Sequence, residues 1–308
     1  MINKFKGENN MKSIKYYHYT SLITLFSIVV NDELWLSNLK NSNDPNEFYL
    51  TCDEYNAYIS KLGKDPYNGK PYVLEENGIY GNTYGLSFTL VGDNLSQWER
   101  YGDSLKGISI CFDIELMQQI LEDKYGFTFD FDSVRYTDEE KSFFIESKIE
   151  NININRSSAC PIGIWTMEAI YFINNYNQAQ MLFKKEPFYS EQEYRLFFDP
   201  TYYDFFHKIF TSFSSPQLSE LQEKAKKAYN YVTNTFQLTE GKKKFALMRN
   251  GINSYIPFKL SFLGEQKREI IKEIILGPKC TQDPKELKAF LYHYGYNVKV
   301  TKSQIEIR

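Results

Sequence analysis

The hydrophobic pattern along the chain switches repeatedly between a period of two and a helical period, which sets out an alternation of strands and helices. Residues 14–19, IKYYHY, carry β-favouring rings, and the hydroxyls of Thr20 and Ser21 predict a cap for a helix over LITLFSIV. After Asn31-Asp32, ELWLSNL alternates as a strand, with Leu34 and Leu36 on one side and Trp35 and Ser37 on the other. Asn43-Asp44-Pro45 reads as a turn and helix start, a polar helix is expected over 46–62, and 63–82 is rich in Gly, Pro and Asn and reads as a long loop. TYGLSFTL, 83–90, is a strand; Asp93-Asn94 caps a short helix through LSQWERYG; KGISICFD, 106–113, is a half or fully buried strand.

Ile114, Met117, Ile120 and Leu121 mark an amphipathic helix, YGFTFDFDSVRY over 125–136 a strand, and 137–187 reads mainly as helix. In YSEQEYRLFFDP, 189–200, a strand places Tyr194, Leu196 and Phe198 opposite Glu193, Arg195 and Phe197. Residues 202–248 predict a helical insertion, with one good helix begun at Ser214-Ser215-Pro216. SYIPFKLSFL and EIIKEIILGP are strands, Asp283-Pro284 opens a helix, and NVKV and QIEIR are expected to pair as a terminal hairpin. No repeat or low-complexity linker interrupts the pattern. The reading is one α+β domain over 13–308 with a helical insertion at about 202–248, behind a loosely held segment over 1–12.

Composition narrows the function classes. Hydrophobic residues make up 42% of the 308, enough for a large core, and aromatics at 17% predict a ring-lined interior and pocket suited to a flat ligand. A net charge of −3 gives no global drive toward nucleic acid or an anionic membrane, and the Lys242, Lys243, Lys244 run reads as a solvated surface. Cys52, Cys111, Cys160 and Cys280 lack disulfide or zinc spacing, and His18, His207 and His293 form no ligand pair, so no metal is expected. No apolar run approaches the roughly 18 residues of a membrane span and no signal peptide is visible, so a cytoplasmic location is expected.

Six segments carry a resemblance to a known family: YHYTS at 17–21, LWLSNLKNSNDPNEF at 34–48, LSFT with SQWERYG between 86 and 102, KGISICFD, the EQEYR strand and EIILGP. Their residues and order, from about Tyr16 to Ile307, resemble the bacterial family catalogued as domain of unknown function 2971. A second, more distant resemblance is to the ADP-ribosyltransferase-like superfamily, especially its DNA-modifying toxin branch. It implies a mixed, mostly antiparallel split sheet with surrounding helices, and NAD as co-substrate. It also implies a first-strand residue, here His18, that meets NAD, hydroxyls from Ser37 or from Ser87 and Thr89, and an E-x-E motif at Glu191-Gln192-Glu193. The sequence departs from the pattern in having no Arg in the first strand, and the hydroxyl motif has no textual match.

The E-x-E spacing has a physical meaning, because residues two apart on a strand face one side, so Glu191, Glu193 and Arg195 are expected to project together. Breaking the nicotinamide–ribose bond creates an oxocarbenium-like centre that a carboxylate stabilises. The resemblance assigns that role to Glu193, and Glu191 orients the acceptor or acts as general base. Arg195 would neutralise them or hold the diphosphate, and Tyr17, Tyr19, Trp98 or Tyr101 would stack on nicotinamide or adenine. Each has a plainer alternative. Thr20 and Ser21 are helix caps, Trp98 and Tyr101 one buried helix face, Glu191, Glu193 and Arg195 an exposed ion-paired strand face, and His18 a core histidine.

Three functions follow. One is NAD-dependent ADP-ribosyl transfer to a nucleic acid or protein, or NAD hydrolysis, in a toxin or anti-phage defence effector with a phage component or antitoxin-like partner. Another is an inactive nucleotide-binding or phage-sensing module on the same fold. The last is nucleic-acid processing through the basic run, against which the acidic pI of about 5.8 weighs.

Overall fold

Ser21 ends a strand and starts a helix. Its backbone is extended, and its hydroxyl accepts from the Thr24 amide at 3.1 Å, a cap worth about 1 kcal/mol. Strand β1 (Tyr16–Thr20) therefore passes directly into α1 (Leu22–Asn31), whose Leu25, Ile28 and Val29 are buried at helical spacing. Asp32 takes a left-handed φ of 56° and turns the chain into β2 (Glu33–Asn38). The computed structural model describes residues 14–39, 83–157, 178–200, 219–236, 244–248 and 251–307. The segment over 1–12, the Asn43-Asp44-Pro45 turn, the 46–62 helix, the 63–82 loop, and Lys242 and Lys243 lie outside the described residues.

The later elements are β3 (Tyr84–Thr89), α2 (Leu95–Arg100), β4 (Ile108–Phe112), α3 (Ile114–Tyr125), β5 (Asp130–Ser133) and α4 (Asp138–Ser157). They continue with β6 (Glu193–Phe198), α5 (Ser219–Phe236), β7 (Lys244–Met248), β8 (Gly251–Lys259), β9 (Ile271–Leu276), α6 (Pro284–His293) and β10 (Lys299–Lys302). Asn94, Asp113 and Asp283 cap α2, α3 and α6 with side-chain oxygens. The ten strands of the described residues join one open sheet, antiparallel except where β10 runs parallel to β9, so the molecule is α+β.

The path along the sheet is β10-β9-β4-β1-β3-β2-β8-β7, with β6 and then β5 attached to β3. β3 thus has three neighbours although a strand has two edges. β6 pairs with its full length. On the other edge β1 is registered only at Tyr17↔Thr89, and β2 only at Ser37↔Gly85 and Asn38↔Tyr84. Among the described residues no strand pairs with Leu86–Phe88 on that edge, which leaves a slot between β1 and β2.

One face of the sheet carries the main core. Tyr16, Leu36, Phe88, Ile110 and Leu196 meet apolar residues of α1, α3, α5 and α6 there. Strand β4 is buried at every position, as a strand covered on both faces should be. A smaller cluster of Tyr17, Tyr19, Trp98, Leu105 and Cys111 lies on the opposite face.

Several expectations are corrected. Tyr125 closes α3 and Gly126 at φ 64° ends it, so β5 is only Asp130–Ser133 rather than 125–136. The strand expected over 189–200 starts at Glu193, because Glu186–Glu191 is a 3-10 helix with Pro at its first turn. Residues 244–248 of the expected helical insertion form β7, and α5 sets Tyr231 and Val232 into the main core. The terminal hairpin does not form. The chain returns through α6 so that Lys299–Lys302 pairs in parallel with β9, and residues 303–307 are not strand: the Ser303 hydroxyl and the Gln304 amide are bonded to Asp93 instead.

Candidate active site

The slot edge and β6 together hold most of the residues singled out in the sequence. Directly opposed residues of antiparallel strands share a face, so Ser87↔Arg195, Thr89↔Glu193, Tyr17↔Thr89 and Ser37↔Gly85 place Ser37, Ser87, Thr89, Tyr17, Glu193 and Arg195 on one face. Helix α2 lies over that face with Trp98, and Tyr101 follows it. His18 alternates with Tyr17 and Tyr19 and lies with Phe88, at 5.9 Å between rings, on the main-core side. Strand alternation thus sends the His18 and Glu193 side chains to opposite faces of the sheet.

The slot nevertheless links them. His18 is half-buried, and its Nδ1 lies 2.9 Å from the Ser87 carbonyl in the gap where β1 and β3 part. Because a carbonyl only accepts, this bond puts the proton on Nδ1 and leaves Nε2 as an acceptor in the neutral ring. Burial lowers the His18 pKa and outweighs the raising effect of the Ser87 bond, which favours that neutral form. On the other face the exposed Ser87 hydroxyl donates to Glu193 Oε1 at 2.5 Å.

Glu193 is buried and held on every side. Arg195 reaches it twice, Nε to Oε1 at 2.6 Å and Nη2 to Oε2 at 2.9 Å, and Lys184 Nζ approaches Oε2 at 3.1 Å. The Glu193 amide donates to the Tyr136 hydroxyl at 2.9 Å. Burial alone would raise the Glu193 pKa. The charges of Arg195 and Lys184, with the bonds from Arg195 and Ser87, outweigh it and hold the carboxyl well below the usual range. Glu193 is consequently a fixed anion.

Glu191 reaches the same cluster by another route than the sequence suggests. It ends the 3-10 helix, and Gln192 at φ 43° turns the chain before β6, so the two carboxylates are not strand neighbours. Lys184 Nζ bridges them, lying 2.6 Å from Glu191 Oε2. Tyr101 donates to Glu191 Oε1 at 2.7 Å, and the half-exposed Arg100 does so at 3.0 Å. Burial, then the charge of Glu191, raises the Tyr101 pKa, so its hydroxyl stays a donor. The expected exposed strand face is corrected too, because Glu191, Glu193 and Arg195 are all buried.

Lys184 and Tyr136 were not legible in the sequence. Lys184 is one of two adjacent lysines in MLFKKEPF, and only the bridge Arg135↔Phe183, with the Lys184 amide on the Arg135 carbonyl at 3.0 Å, sets it beneath the carboxylates. Of the rings expected to stack on a ligand, Tyr17, Tyr19 and Trp98 lie in the core and Tyr101 packs half-buried against them. Trp98 is fully buried, edge-on to Tyr19 at 4.7 Å, with its indole N–H on Asp93 at 2.7 Å. Tyr17 is buried with its hydroxyl toward Glu273, and Thr89 is buried with its hydroxyl toward the Val91 amide. Among the described residues no group of three or more His, Cys, Asp and Glu side chains could hold a metal ion, and no helix is long and apolar enough to cross a membrane.

Two carboxylates thus meet two buried cations and a third, Arg100, at the rim. The ensemble can fix a negative charge beside an exposed hydroxyl and present a cation where solvent enters.

The model of a family described as protein of unknown function (DUF2971) matches residues 97–196, the stretch from α2 through Glu191, Glu193 and Arg195. This supports the family resemblance carried by the sequence segments. No curated protein and no solved structure matches the chain.

Proposed function

We propose that this chain acts on NAD as an ADP-ribosyltransferase-like enzyme, with its site at the slot beside Ser87. The observation that carries the reading is an exposed Ser87 hydroxyl bonded to buried Glu193, at the point where the edge of β3 is unpaired and the neutral His18 ring reaches in from β1. Two strands sharing one edge of β3 fit the split sheet of that superfamily. Cleavage of the nicotinamide–ribose bond builds positive charge on the ribose, and a carboxylate that never protonates in the working pH range opposes that charge without reorganising. Ser87 would hand its hydrogen bond to a ribose hydroxyl, the Nε2 of His18 would accept another, and Arg100 would face the diphosphate.

A second reading rests on a different observation. Both Glu193 oxygens are occupied by Arg195 and Lys184, which favours a nucleotide-binding module that senses without turnover. Incubating the purified chain with NAD, with and without cell lysate as a source of nucleic acid and protein acceptors, separates these readings. Nicotinamide release that rises with lysate identifies transfer, and release independent of lysate identifies hydrolysis. A rise in melting temperature without nicotinamide identifies the binding module. Neither release nor stabilisation at millimolar NAD would overturn both.

A further inference from the structure

Two buried carboxylates that share a site tend to share a proton, because two negative charges repel strongly where water does not screen them. Glu191 and Glu193 are both buried, yet the ammonium of buried Lys184 lies between them, 2.6 Å from Glu191 Oε2 and 3.1 Å from Glu193 Oε2. Backbone pairing fixes that lysine in place. The Arg135 amide donates to the Leu182 carbonyl at 2.7 Å and the Lys184 amide to the Arg135 carbonyl at 3.0 Å, while the ammonium lies 5.1 Å from the centre of the Phe188 ring. One oxygen of each carboxylate thus turns inward to Lys184 and the other turns away. The outer oxygen of Glu193 meets the exposed Ser87 hydroxyl, and that of Glu191 meets the Tyr101 hydroxyl and the half-exposed Arg100.

We propose that Lys184 is a positioning residue of this site, whose ammonium keeps Glu191 and Glu193 ionised together and holds the outer oxygen of each toward Ser87 and Arg100. Among the described residues the other charged or titratable groups bonded to the pair are Arg195 on β6, Arg100 and Tyr101 at the end of α2, and Tyr136 after β5. Arg195 is bonded to Glu193 and Arg100 to Glu191, whereas Lys184 is bonded to both. Without its ammonium the two anions face each other, and the folded chain binds a proton that relieves the repulsion. A carboxyl raised in this way costs more stability as the pH climbs from its unfolded pKa to its folded one. A lysine that only filled space would cost the same at every pH. The catalytic consequence alone rests on the NAD reading: an ionised Glu193 opposes ribosyl charge, and an ionised Glu191 is free to act as a base.

Urea unfolding of the full chain, as wild type, Lys184→Met and Lys184→Met with Glu191→Gln, tests the proposal from about pH 5 to about pH 8. Asp130 titrates in this range in every variant and cancels from the differences. The expected result is a Lys184→Met midpoint that falls further below wild type as the pH rises. The double variant, which leaves one carboxylate with Arg195, should unfold at a higher midpoint than Lys184→Met at about pH 8, or fold there where Lys184→Met does not. A deficit independent of pH overturns the proposal, and so does a double variant no more stable than Lys184→Met. None of these readouts needs NAD. In a wild type that releases nicotinamide, the acid limb of release should move up by at least about one pH unit in Lys184→Met, and superimposable profiles would overturn the positioning role. A wild type that releases none counts against the NAD reading and leaves the unfolding result to decide the role of Lys184.

Discussion

At the scale of single residues the site is decided by which hydrogen bonds each side chain has left. Ser87 is exposed and donates a hydrogen bond to Glu193. Ser87→Ala therefore removes one bond to a carboxylate that keeps Arg195 and Lys184, and we expect the melting temperature to stay within about 2 °C while nicotinamide release falls about tenfold. Equal loss of stability and release would make Ser87 structural. Lys184 differs, since its ammonium bridges Glu191 and Glu193. Lys184→Met leaves two buried carboxylates short of a cation and should cost about 3 kcal/mol by urea denaturation, whereas a change below about 1 kcal/mol would show that Arg195 and Arg100 suffice. Asp130 gives the clearest pH signature. Burial raises its pKa to about 6 despite the Gln178 bond that lowers it. A raised carboxyl pKa means that stability is lost as pH rises through about 6, so Asp130→Asn should raise the urea midpoint at pH 8 and leave it unchanged near pH 4. The Glu193 carboxyl is displaced the other way, and its contribution is present above the ordinary carboxyl range and lost in stronger acid.

At the scale of elements, what the sequence showed clearly was whatever local chemistry determines. Ser21, Asn94 and Asp283 sit where side-chain oxygens meet free helix amides, and each starts the helix expected after it. Replacing Ser21 with Ala should lower stability by about 1 kcal/mol, read as a shift of the urea midpoint at constant slope, and an unchanged midpoint would mean that core packing alone holds α1. Elements fixed by distant partners were less legible. KFALM is a different case, since its partner β8 begins at Gly251 and the Asn250-Gly251 dipeptide is itself a hairpin signal that the helical reading passes over. QIEIR alternates as a strand should, yet the Ser303 hydroxyl and the Gln304 amide are bonded to the distant Asp93. The E-x-E spacing was read as two strand neighbours, and the left-handed Gln192 between them broke the period. Lys184 was invisible for the same reason: its place follows from a single bridge between Phe183 and Arg135.

For the molecule as a whole, one strand with three partners organises the rest. β3 is covered by β6 along one edge and by the ends of β1 and β2 along the other, and the interval between them is where His18, Ser87 and Glu193 come within hydrogen-bonding reach of one backbone position. No reading of a single segment shows such an interval, since it is a property of how three strands share an edge. It brings residues on opposite faces of the sheet to the two sides of Ser87. The proposed chemistry turns on the fixed anion that Ser87 contacts beside that slot. The most direct measurement is the rate of nicotinamide release from NAD by wild type and by Glu193→Gln, compared at equal folded fraction because the substitution strands Arg195 and Lys184 at a cost of about 3–5 kcal/mol. Release by the wild type that falls at least about 100-fold in the folded variant is the result expected of a carboxylate that stabilises the developing ribosyl cation. Release that survives undiminished in folded Glu193→Gln would contradict it and leave Glu193 as the structural centre of an ion-pair network.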